Sequence, residues 1–394
     1  MSLTGTVCEQ LCIGPIEAVS PTLAEMLRTC KLRAGISRAE GASKFVLGNP
    51  KAWLGIAYHE VLAATGRHSG DIDSVIAAVW KSAIDREFQR IKTHPLDRRF
   101  GVPESWPRYH LIAAMARIRA QELAAAKACS ERDRQGIDGG SAEIYREQKF
   151  SGAKGRLVGR PDVVRTDEII DFKSGDIHDD EDHERVRPSY VRQLRLYGFL
   201  VKESLGWWPR KGILIPMIGP IVEVEIEPEV CIAEANDAVR LLKNYNALVS
   251  EGSECAQFAS PLPQTCRWCP FQTICPSFWE AVEPDWLGEL GAAVVMGKLK
   301  EAPRTIHCGT ALSLTIEIKS GTEHCLMALE LAPVNSEIHP AAKYLQRGDE
   351  IRISGLSRRP DGTLRLTDRT ILIPVSDLPK IVIQNTHSGQ VFQE

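Results

Sequence analysis

Apolar positions recur at helical spacing through most of the first two thirds of the chain, give way to alternation over 143–173, and alternate almost throughout after Trp286. A helix is predicted from Pro21 to the neighbourhood of Cys30. A second helix carries Leu54-Gly55-Ile56-Ala57-Tyr58-His59-Glu60-Val61-Leu62. Two long helical patterns follow at about 72–91 and 106–128, joined by a charged, proline-containing connection, and they read as a helical insertion at about 68–141. Residues 143–173 supply three strands, 184–203 a helix, 212–216 and 221–226 two more strands, and 228–248 a helix. That order predicts an α/β fold, a mixed central sheet flanked by helices. Downstream, 311–318, 325–331, 350–354 and 363–375 alternate as strands between turn-rich segments, the pattern of a small all-β unit. Two domains are expected, 1–285 and 286–394.

Composition adds class but not chemistry. With 43% hydrophobic and 25% charged residues, the 394-residue chain has the make-up of an ordinary globular protein. No apolar run approaches the roughly 20 residues that cross a bilayer, and the amino terminus lacks a basic region leading into an apolar core. These features, with an odd total of 11 cysteines, predict a cytoplasmic protein with reduced thiols and no membrane partner. A net charge of −3 argues against a generic polyanion binder, so any nucleic-acid contact must come from local basic surface.

The chemistry concentrates in Gly159-Arg160-Pro161-Asp162 and Ile169-Ile170-Asp171-Phe172-Lys173. Asp171 and Lys173 share one strand face while Phe172 takes the other, so one carboxylate from each of two adjacent strands meets an ammonium. Two oxygen donors suit Mg²⁺ or Mn²⁺, which complete their shells with water and phosphate, and the lysine can orient an attacking water. The same residues would also serve as a turn followed by an exposed ion pair. Further along, Gln193 and Tyr197 stand at i, i+4 on one helical face.

In order, His59, Glu147, Gly159-x-x-Asp162, Asp171-x-Lys173 and Gln193-x-x-x-Tyr197 resemble the PD-(D/E)xK nuclease superfamily, RecB-like branch, with Asp171 where many members have Glu. The resemblance covers about 18–282. It implies a restriction-endonuclease-like core, with His59, Asp162, Asp171 and the Phe172 carbonyl as metal ligands. It also implies Glu147 assisting from behind them, Lys173 acting on water, and Gln193 and Tyr197 ordering the site or the strand.

Cys266-x2-Cys269-x5-Cys275 falls in a proline-rich, poorly periodic stretch that a bound metal would organise. Cys30 is the candidate fourth thiolate, with Cys8 and Cys12 as alternatives. The segment from Ser20 to Cys30 resembles the opening of RecB-like nucleases that carry an iron–sulfur cluster, the AddB and CRISPR-associated types. Lys31 stands where those have proline. A [4Fe–4S] cluster is therefore implied, although zinc fits the same spacing. The remaining cysteines read as buried free thiols.

Arg187, Arg192 and Arg195 border the Gln193 helix and are the candidates for holding phosphates, alongside a second basic group at Arg86, Arg90, Lys92, Arg98 and Arg99 that reads equally as a solvated face. The tail around 345–355 looks like the central strands of an OB-fold, suited either to guiding a strand or to docking a protein. The expectation is a metal-dependent DNA nuclease, an exonuclease preferring single strands, in repair, mobile-element processing or defence. Alternatives are a subunit licensed by a helicase or defence-complex partner, and a silent nucleic-acid-binding scaffold. No Gly-x-x-x-x-Gly-Lys-Ser/Thr run is present, so unwinding would have to come from elsewhere.

Overall fold

The computed structural model describes residues 10–67, 71–134, 144–179, 182, 185–309, 311–323 and 327–384. The described residues begin with strand β1 (Gln10–Ile13), followed by helices α1 (Pro21–Thr29) and α2 (Lys31–Arg38). Ser20 caps α1 by accepting the Leu23 N–H at 3.2 Å, and Pro21 supplies the first helical residue. Asn49 and Pro50 start α3 (Pro50–Thr65) in the same way. Its Trp53, Leu54, Ala57, Tyr58, Val61 and Leu62 are all buried, because α4 (Ile72–Thr93) and α5 (Tyr109–Arg134) pack around it. These three helices are the predicted helical insertion together with the His59 helix.

The sheet region holds five strands where the alternation suggested three: β2 (Tyr145–Arg146), β3 (Phe150–Gly152), β4 (Leu157–Gly159), β5 (Val163–Val164) and β6 (Glu168–Lys173). Strands two or three residues long carry too few positions to show a period of two. Helix α6 (Pro188–Leu205) starts at Pro188 and ends at the left-handed Gly206, with φ 84°. It carries the chain across to β7 (Lys211–Pro216), parallel to β6, and then come β8 (Val222–Glu225) and α7 (Pro228–Ser250).

The central sheet runs β2-β5-β6-β7-β8 and is mixed, as expected. Ile169 packs into the core shared with α1, α6 and α7, while Ile170 and Phe172 pack towards α3 to α5, so β6 is covered on both faces. Gly159 has a specific duty. A Cβ there would stand 2.7 Å from Leu200 and 2.9 Å from Tyr197, so the glycine lets α6 close on β4.

The carboxy-terminal region is strand-rich: β9 (Ala293–Leu299), β10 (Arg304–Ile306), β11 (Ala311–Gly321), β12 (Ala328–Asn335), β13 (Glu350–Arg358), β14 (Leu364–Arg365), β15 (Ile371–Pro374) and β16 (Lys380–Ile383). The sequence pattern missed β9, a central strand between β11 and β13, because Ala-Val-Val-Met does not alternate. Among the described residues the order β10-β11-β9-β13-β14, with β12 on β11 and β15 on β13, does not close into a barrel. β16 instead pairs in parallel with β1, Gln10 to Lys380 through Ile13 to Ile383, which ties this region to the start of the chain.

Side-chain contacts hold it as well, among them two from elsewhere in the chain. Arg99 donates to the carbonyls of Thr370 at 2.6 Å and of Ile338 and Asp368 at 3.4 Å. Thr273 and Ser354 share a buried hydrogen bond of 2.6 Å. No described helix is long and apolar enough to cross a membrane.

Candidate active site and cysteine centre

Strand pairing brings three acids together. β2 pairs with β5 through Arg146 and Val163, and β5 pairs with β6 through Val163 and Ile170. Just past the ends of both ladders Glu147 and Asp162 follow in bends, Glu147 with a left-handed backbone at φ 50°, and the Asp162 charge acts on both Glu147 and Asp171. The Glu147 N–H donates to the Asp162 carbonyl at 3.1 Å, and the Phe172 N–H donates to Asp162 Oδ2 at 2.6 Å. His59 reaches down from α3, its Nδ1 3.6 Å from Asp162 Oδ2. Phe172 itself buries its ring on the α3 side.

Lys173 is held from three directions. Its Nζ lies 2.6 Å from Asp171 Oδ2, donates to Gln193 Oε1 at 2.6 Å, and stands 4.4 Å from the Tyr190 ring centre. From α6, Gln193 Nε2 donates to the Tyr197 hydroxyl at 3.0 Å, and that hydroxyl donates to the Arg160 carbonyl at 3.3 Å. A chain of hydrogen bonds thus runs from the lysine to the backbone two residues ahead of Asp162.

Electrostatics follow from this crowding. Burial first, then the neighbouring Asp162 carboxylate, push the Glu147 carboxyl up to about 7. Burial likewise pushes Asp171, only 3% exposed, up to about 6 against the pull of the Lys173 ammonium. Burial opposes the charged form of His59, yet its bond to Asp162 and the charges of Asp162 and Asp171 outweigh it and raise its pKa. Burial and the Asp171 charge raise Tyr197 and keep its phenol protonated.

Among the described residues no three His, Cys, Asp or Glu side chains stand together as a finished ion site. The donor set nevertheless suits a hard divalent cation. Its oxygens are carboxylate, the Asp162 charge raises the proton affinity of Glu147 and Asp171, and buried Asp171 Oδ2 takes no directed hydrogen bond, its charge being met by the adjacent Lys173 ammonium and, more weakly, by His59.

His59 and Glu147 open onto a cleft of about 890 Å³ that Glu60, Arg67, Arg160 and Ser174 also line, while Asp171 stays buried behind them. Its cations are Arg67 and Arg160, neither in an ion pair with a described residue. Neither has a role predicted from the sequence. Arg160 stands inside the recognised motif, and that position was the available signal. The arginines of α6 lie elsewhere. Arg192 grips Glu25 of α1 with both Nε and Nη2, at 2.6 and 2.7 Å. Arg195 sits by the buried Cys231 of α7, with its own Nε buried and unpartnered. Arg187 Nε donates to the His178 carbonyl at 2.6 Å.

The four cysteines converge although about 240 residues separate the first from the rest. Cys30 lies between α1 and α2, Cys266 ends the turn Pro263–Cys266, and Cys275 precedes the short helix Pro276–Ala281. With Cys269 they line one cavity of about 20 Å³, walled by Ile36, Phe271 and Phe278. Burial raises the thiol pKa of Cys266 and Cys275 to about 12 and of Cys269 to about 11, and proximity to one another adds to the rise. Thiols so placed gain most from a metal that takes up their anionic form. Cys12 is on β1 and does not line this cavity, and Cys8 lies outside the described residues.

The sequence profile of the PD-(D/E)XK nuclease superfamily matches residues 18–276, beginning just before the α1 cap and ending one residue past Cys275. The chain belongs to that superfamily, and it is accordingly a nuclease-fold hydrolase whose class acts on nucleic acid. A solved structure of LHK-Exo in complex with dAMP is similar over 50% of this chain and 91% of its own, at 10% identity and a TM-score of 0.22, an overlap too shallow to bear on the site. No curated protein matches the sequence.

Proposed function

We propose that the protein is a metal-dependent DNA nuclease of the RecB-like, iron–sulfur type, working as an exonuclease on single strands. The observation that supports this reading most is the cluster of Glu147, Asp162 and Asp171, with His59 above it and Lys173 fixed against Asp171. His59, Asp162, Asp171 and the Phe172 carbonyl would hold Mg²⁺ or Mn²⁺. Such an ion supplies positive charge at the phosphate and lowers the pKa of water. Lys173 orients the water that attacks phosphorus and offsets the charge gathering there as the P–O bond to the leaving strand breaks. Gln193 and Tyr197 hold that lysine in place, and Glu147 supports Asp162. Arg67 and Arg160, which line the cleft beside Glu60 and Glu147, take the flanking phosphates.

Cys30, Cys266, Cys269 and Cys275 would bind a [4Fe–4S] cluster, or zinc in its place, and staple the two ends of the matched region. The role of that centre is structural, since hydrolysis transfers no electron. The strand-rich region at 286–394 is read as an OB-like domain that guides the strand or docks a partner.

End-labelled single- and double-stranded DNA incubated with Mg²⁺ or Mn²⁺ tests the reading. Stepwise shortening of the single strand is expected, lost on chelation and in Asp171→Ala and Lys173→Ala with the fold intact. Wild-type protein that leaves both substrates whole, or an Asp171→Ala variant that cuts at the wild-type rate, would overturn it.

A further inference from the structure

Beyond Lys173 the chain passes Ser174, which faces Gly55 of α3 so closely that a methyl group on the glycine would stand 2.5 Å from the serine hydroxyl. This contact divides the space beneath the helices. On one side lies the cleft of His59, Glu147 and Arg160. On the other lies a second cavity of about 310 Å³, bounded by Lys51, Arg108, Leu111, Met217 and Ile218, with Ser174 as the shared wall.

Four observations set the second cavity apart from ordinary surface. Neither Lys51 nor Arg108 is in an ion pair with a described residue. The one carboxylate of the lining, Asp176, is taken by His178, which meets it through both its N–H and Nδ1 at 3.0 Å. The apolar wall is uncovered, with Ile218 64% and Leu111 46% exposed. Arg108 also keeps a left-handed backbone, φ 67°, which a non-glycine residue holds only where its surroundings impose it.

We propose that this cavity is a mononucleotide subsite, with the phosphate on Lys51 and Arg108 and the base against Leu111 and Ile218. Unpaired cations beside bare aliphatic surface match a ligand that joins an anion to a flat apolar ring. The volume is at the small end of compact ligand pockets, which fits one nucleotide. Its place in the reaction, next to the scissile bond and across the Gly55–Ser174 contact from Arg160, rests on the nuclease reading. Its capacity to bind does not.

Calorimetric titration of the full chain with 2′-deoxythymidine 5′-monophosphate tests this. Arg108→Ala should weaken binding about tenfold, the weight of one charge-assisted contact, and Ile218→Asp by at least as much, since it exchanges apolar contact for a negative charge. Arg160→Ala, in the first cleft, should leave it within about twofold. Ile218 is solvent-exposed, so circular dichroism of Ile218→Asp should match wild type. Binding that survives Arg108→Ala and Ile218→Asp but falls on Arg160→Ala would put the nucleotide in the first cleft and refute the subsite. A protein that degrades DNA yet binds no mononucleotide refutes the subsite alone. One that binds as expected and cuts nothing refutes the nuclease reading alone.

Discussion

Gly55→Ala is the sharpest probe of how the active site is positioned. Gly55 and His59 are one helical turn apart on the same face of α3, and Gly55 touches the end of β6 through Ser174. The new methyl would lie 2.5 Å from Ser174 Oγ and 3.2 Å from Ser174 Cβ. Both distances are below ordinary contact; the hydroxyl can turn away, but Ser174 Cβ cannot, so α3 and the strand must part by a few tenths of an ångström and by up to about 1 Å if the hydroxyl keeps its place. A displacement of that size at a reacting centre costs about 10²-fold in rate. Stability should change far less, because overpacking costs about 1–3 kcal/mol while alanine in place of glycine in a helix returns about 1 kcal/mol.

The expected result is thus a melting temperature lowered by a few degrees at most, with cleavage of labelled single strands down about a hundredfold. Ser174→Gly in the same chain removes both contacting atoms and should restore most of the rate. Full activity in Gly55→Ala alone would show that the approach of α3 to β6 does not set the position of His59, and the reasoning would fail.

Other consequences are open to simpler measurements. Cys269→Ser should lose brown colour, bound iron and solubility together; a stable, colourless, fully active variant would refute a structural metal centre, and zinc in place of iron by metal analysis would replace the cluster assignment. Arg99→Ala removes a guanidinium shared by three carbonyls of the strand-rich region. It should cost about 2–3 kcal/mol and speed limited proteolysis after 286, whereas an unchanged melting temperature would mean the contact is idle.

His339 is 4% exposed, and burial, seconded by Arg99, holds its pKa down at about 3. Its folded pKa lies below the unfolded value of 6.5. The stability from keeping it neutral is therefore complete above that pH and drains as pH falls towards 3, at up to about 1.4 kcal/mol per unit. Denaturant midpoints taken across that window should fall more shallowly in His339→Gln, and equal slopes would count against the assignment.

Much of this was readable in the chain before folding. Periodicity located the long helices within a few residues, and the order His59, Glu147, Asp162, Asp171, Lys173, Gln193 and Tyr197 named the residues that the structure gathers. The same reading failed at β2 and β5, two-residue strands whose pairing nevertheless brings the three acids together. It also could not foresee that Arg192 is spent on Glu25 while Arg67 and Arg160 face the cleft. An arginine on a helix carries the same local pattern whether its partner is water, a distant glutamate or a phosphate.

Local pattern was enough to mark the apolar faces, the helix starts and the side chains able to do chemistry, because these depend on neighbours within a turn or a strand. Which of them meet came from packing between distant segments. The pairing of β1 with β16, the arrival of Cys30 beside Cys266, Cys269 and Cys275, and the contact of Gly55 with Ser174 all join residues far apart in the chain. Such contacts follow from how buried surfaces pack against one another, which no local stretch encodes.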